Sequence, residues 1–98
     1  MLEQISIANF QPHLNETFSI RFTPEATHPA VLTKVTPWSH GSDKYRQPFT
    51  LELETDLKET YYLQGSFTLV HPTAGELVLF MVPLGLGSMG MRYEIVFS

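Results

Sequence analysis

Polar and apolar residues alternate along most of this chain, and the period is two. Phe18, Ile20 and Phe22 face one way against Thr17, Ser19 and Arg21, the signature of a half-buried strand. Ala30 to Thr36 predicts a second strand, with Val31, Thr33 and Val35 on one side and Leu32 and Lys34 on the other. Between them Pro24, Thr27, His28 and Pro29 read as a turn or loop. Phe49 to Thr55 alternates again, Phe49, Leu51 and Leu53 inward against Thr50, Glu52 and Glu54. Leu63 to Ser98 is the densest strand-forming region and predicts a meander of three runs: Ser66 to His71, Glu76 to Val82, and Met91 to Ser98. The middle run is almost continuously apolar, so it is expected to be the central strand, covered on both faces. Leu2 to Phe10 has mixed spacing and predicts a short helical turn packed over an open end of the sheet.

The pattern therefore predicts an all-β fold, a compact antiparallel barrel or sandwich of about six strands with a short N-terminal helical turn. No linker or repeat divides the chain, so residues 1–98 read as a single all-β domain. A chain of this length buries about two-thirds of the surface its unfolded form exposes, enough for a core without staples. Apolar residues make up 43% and charged residues only 16%, so some apolar surface is expected to face outward, as in a subunit of an assembly.

Net charge is −4, and Arg21, Lys34, Lys44, Arg46, Lys58 and Arg92 are scattered rather than clustered. A nucleic-acid surface needs several cations in one patch, so none is expected here. There is no cysteine, hence no disulfide, thiolate metal site or cysteine nucleophile. Met1 to Phe10 lacks a basic segment followed by an apolar core, and the apolar run Leu77 to Leu84 is too short to span a bilayer. A cytoplasmic protein that does not enter the membrane is the expectation.

Candidate chemistry is sparse. His13, His28, His40 and His71 are too widely spaced for a metal-ligand motif, so no metal site is expected. Gly85, Gly87 and Gly90 match G-x-G-x-x-G, but a strand follows where a nucleotide site needs a helix; a hairpin loop explains them better, and no cofactor is expected. Ser39, Ser42 and Ser88 lie outside any nucleophile motif, and Glu52, Glu54 and Asp56 read as a solvated strand face. These features predict no catalytic residue. Trp38, Tyr45, Tyr61 and Tyr62, with Arg46, are the candidate interaction surface, since Trp, Tyr and Arg concentrate binding energy at interfaces. The competing reading has the aromatics roofing the core with their polar tips in water.

The ordered series Gln47-Pro48-Phe49-Thr50-Leu51, Leu63-Gln64-Gly65-Ser66-Phe67, Leu69-Val70-His71-Pro72, Gly75-Glu76-Leu77, Phe80-Met81-Val82-Pro83 and Gly90-Met91-Arg92-Tyr93-Glu94-Ile95-Val96-Phe97 resembles a small bacterial domain family of unknown function. That family consists of stand-alone proteins of about this size, associated with phage-tail-collar-like proteins. The resemblance implies an accessory or structural partner of a tail-like assembly and supplies no catalytic residues. Trp38 to Tyr45 has no counterpart in its pattern. The expected function is thus a non-enzymatic structural or protein-interaction module, binding a protein partner or itself, in the cytoplasm or within a tail-like particle. The alternative is a small-ligand-binding β-barrel with an open end lined by Trp38, Tyr61 and Tyr62.

Overall fold

A computed structural model describes residues 5–39 and 47–98. Six antiparallel strands form a closed barrel: β1 (Thr17–Thr23), β2 (Ala26–Pro37), β3 (Phe49–Thr55), β4 (Gly65–His71), β5 (Gly75–Leu86) and β6 (Met91–Phe97). Their order around the wall is β1-β2-β3-β6-β5-β4, and β4 returns to β1 through Ser19↔Val70, Ile20↔Leu69 and Arg21↔Thr68. The expected meander of the last third is β4-β5-β6. A matching meander, β1-β2-β3, makes the other half, and residues 56–64 cross one end of the barrel between the halves.

Alternation sends one set of side chains into the interior. Phe18, Ile20, Ala30, Leu32, Leu51, Leu53, Leu69, Leu79, Met81, Tyr93 and Ile95 are all buried there, leaving the narrow interior filled by side chains. Both ends are closed by aromatic rings. At one end the chain makes two short 3-10 turns, Ile7–Asn9 and Gln11–His13, which place Phe10 over the barrel mouth. Phe10 is fully buried and meets Phe18, Phe49, Phe97 and His71, while Phe49 and Phe97 stack at 4.6 Å. This is the predicted N-terminal cap, built from 3-10 rather than α-helical turns.

His71 ties that cap to the barrel. Its Nε2–H donates to the Asn9 carbonyl at 2.6 Å, and its Nδ1 accepts from the backbone N–H groups of Thr73 (3.1 Å) and Ala74 (3.0 Å). One buried ring thus holds both the cap and the β4–β5 turn, and the pattern of bonds sets its tautomer. At the opposite end Tyr62 stacks on Phe22 at 4.5 Å, beside Phe67 and Tyr93. The Tyr93 hydroxyl donates to the Tyr62 carbonyl (2.7 Å) and accepts from the Tyr62 N–H (2.9 Å), fastening the crossing segment to the interior.

The structure corrects the strand pattern in two places. β2 begins at Ala26, so His28 and Pro29 lie within a strand, and the turn is confined to Pro24 and Glu25. It also carries a bulge between Leu32 and Lys34, which resets the alternation: Ala30 and Leu32 point inward, and beyond the bulge it is Val35 that packs against the core. The extra residue, Thr33, is held by its hydroxyl on the Glu52 carbonyl at 3.1 Å. β5 is not a doubly covered central strand. A closed barrel has no centre, and Val78 and Phe80 stand on its outer wall, 62% and 54% exposed.

The β5–β6 loop is a hairpin, as its glycines predict. Gly85 has a φ of +123° at a bulge between Pro83 and Gly85. A Cβ at Gly90 would collide with the Thr55 carbonyl and the Leu57 backbone. The loop wraps a carboxylate as well, for Glu54 is buried and accepts the N–H groups of Met89 (2.5 Å) and Gly90 (3.3 Å). Glu54 therefore departs from the solvated strand face expected of it.

Candidate functional site

The outer wall of β2, β3 and β6 carries an open groove of about 740 Å³. The strand registers assemble it: Lys34 lies opposite Glu52, Thr36 opposite Thr50, and Glu52 opposite Glu94, all facing outward. Pro37, Trp38 and Ser39, at and just past the end of β2, form its far side. Trp38 is fixed at both backbone and ring. Its N–H donates to the Pro48 carbonyl (3.0 Å), its carbonyl accepts from the Gln47 amide (2.9 Å), and its Nε1–H donates to the Thr50 hydroxyl (2.9 Å). The indole is 38% exposed and forms a rigid wall.

The groove carries charges of both signs, with Lys34 at one edge and Glu52 and Glu94 following it across the strands. Glu52 and Glu94 are like charges directly opposed across two strands, an arrangement that is destabilising unless a cation intervenes. Arg92 supplies one cation, with its Nη1 donating to Glu52 at 3.1 Å. Among the described residues no such partner reaches Glu94, and Lys34 makes no ion pair.

Beside the groove lies an apolar wall. Glu94 pairs on its other side with Val82 of β5, and Val78, Phe80 and Val82 follow one another along that outward face. Val96 on β6 adds to it at 49% exposure, and the bulge between Pro83 and Gly85 ends it, since Gly85 then lies opposite Arg92 and Leu86 opposite buried Met91. Ser66 and Thr68 of β4, the register partners of Phe80 and Val78, border the stripe with small polar groups.

Of the residues singled out from sequence, Trp38 lies in the groove. Tyr61 and Tyr62 sit on the crossing segment at the opposite end of the barrel: Trp38 follows the β2 end at Pro37↔Phe49, whereas Tyr62 packs on Phe22 near the other end at Thr23↔Ala26. Tyr62 roofs the core, as the competing reading holds, and Tyr61 is exposed. Tyr45 and Arg46, like His40, fall outside the described residues. Sequence reasoning missed Lys34, Glu94 and Phe80. The signal for the first two was their cross-strand register with Glu52, which requires knowing that β3 pairs with both β2 and β6.

The remaining polar clusters are structural in geometry. His13 pairs with Glu16 at 2.8 Å, and His28 with Asp56 at 2.9 Å. Among the described residues no three metal-capable side chains converge, and no helix is long and apolar enough to cross a membrane. No curated protein and no solved structure matches the chain. A family model matches residues 5–97, nearly the entire barrel from the N-terminal cap to the end of β6, and the chain belongs to that family, the domain of unknown function DUF6916.

Proposed function

We propose that this protein is a non-catalytic docking module that binds a protein partner through the outer wall of β5 and β6. The observation that carries this reading is the apolar stripe. Strands favour β-branched and aromatic residues on any face, so propensity alone accounts for each of Val78, Phe80, Val82 and Val96. What points to a partner is their contiguity: they adjoin on one outward face, with Val78, Phe80 and Val96 62%, 54% and 49% exposed. Covering a side chain of that size contributes about 1.5–3 kcal/mol, so a few of them supply the apolar centre of an interface.

The partner is a subunit of a larger assembly. Family resemblance points to tail-like particles as the assembly to test first, and a chain without cysteine can work in the reducing cytoplasm where such particles form. The test is capture of assembly proteins from the native host with wild-type protein and with Phe80→Lys. The variant should fold with stability within about 0.5 kcal/mol of wild type, since Phe80 is outside the core, and should lose the partner. Equal capture by both forms would overturn the proposal, as would a wild-type protein that captures no assembly subunit.

A further inference from the structure

We propose that the groove beside Trp38 receives a basic side chain of the docked partner, an arginine. The inference rests on the docking reading for the protein nature of the partner, but the chemistry comes from the groove. Glu52 and Glu94 are held opposite each other, and Arg92 offsets only Glu52. A second cation placed at Glu94, two strands away from Lys34, would relieve the repulsion there. Trp38 adds a flat aromatic face, its indole N–H already committed to Thr50, so the ring is held ready for stacking without further ordering. A fixed aromatic face beside a carboxylate with no ion-pair partner among the described residues matches a guanidinium, which stacks with its plane and donates to a carboxylate from its edge.

The location suits the proposed partner. Glu94 separates the groove from the apolar wall, being paired with Glu52 on one side and Val82 on the other. A chain lying across β5 and β6 therefore brings a flanking basic residue into the groove. Lys34 stands on the groove's opposite edge and would oppose a cation there.

Trp38 is the only tryptophan, so its fluorescence reports on the groove alone. Titrating the full chain with N-acetyl-arginine amide should give a saturable change that weakens with added salt. Glu94→Gln should weaken binding about tenfold, the loss expected for a charge-assisted hydrogen bond, and Lys34→Ala should tighten it. The same titration in a Lys44→Ser/Arg46→Ser background should saturate at least as well. No saturable response, a response that Glu94→Gln leaves unchanged, or equal saturation by a neutral disaccharide would overturn the inference. Phe80→Lys separates the two readings, because it should abolish partner capture while leaving the arginine titration intact.

Discussion

Buried side-chain hydrogen bonds fasten both ends of this barrel, and one of them, at Tyr93, bears on its response to pH. Burial pushes the Tyr93 hydroxyl above its ordinary pKa of 10.0, and its hydrogen bonding with the Tyr62 backbone pulls the other way. A raised pKa means that the folded state holds this proton more tightly than the unfolded chain. Its contribution is fully present below pH 10.0 and is lost as pH rises through the higher folded value. Tyr93 should therefore ionise above its ordinary pKa of 10.0 in an ultraviolet titration. Tyr93→Phe removes the paired hydroxyl and leaves the Tyr62 N–H and carbonyl without it. It should cost on the order of 1–3 kcal/mol at neutral pH and flatten the alkaline decline in stability, as measured by urea unfolding across pH. Tyr93 was readable as an inward strand residue from its alternation with Arg92 and Glu94. Its bond to Tyr62 was not, because that bond links residues far apart in sequence whose meeting depends on how the crossing segment lies.

At the scale of elements, the seam between β1 and β4 is where the sheet becomes a barrel. Arg21 on β1 reaches across β4 to Glu76 on β5, with two hydrogen bonds at 3.2 and 3.0 Å. The bonds from Arg21, and then its charge, hold the Glu76 carboxyl below its ordinary pKa of 4.5. A lowered pKa gives a contribution present above pH 4.5 that fades as pH falls through the folded value. The pair is exposed, so the effect is small and sensitive to salt. Glu76→Gln should lower stability slightly at neutral pH and converge on wild type in acid; a gap that persists undiminished at low pH would show that the charge is not responsible. Strand positions were largely legible because the period-two pattern is strong. The failures share a physical origin. In β2 a bulge shifts the phase by one residue, and no local signal marks Thr33 as the extra one. In β5 the apolar run implied a second covering layer, whereas the closed barrel has only one wall and leaves Val78 and Phe80 outside. The groove was less legible than the strands, since it depends on register among β2, β3 and β6.

For the molecule as a whole, the two meanders repeat one plan. Each has strands of 7, 12 and 7 residues, and each long middle strand bulges in its second half. They join through β3–β6 on one side and β1–β4 on the other. No repeat is visible in sequence because the plan constrains which positions face inward and not which residues fill them: Phe18, Ile20 and Phe22 in β1 correspond to Phe67, Leu69 and His71 in β4. Closure also has a consequence for biosynthesis. Of the six barrel strands β6 is the last to leave the ribosome, and it fills the gap between β3 and β5. Until it arrives, the nascent chain presents two open edges, one of them on the most apolar strand, so the five earlier strands form an aggregation-prone intermediate. Deleting residues 91–98 should therefore yield insoluble protein, and supplying Met91–Ser98 as a separate peptide during refolding should restore soluble barrel by strand complementation, measured as recovery in the supernatant.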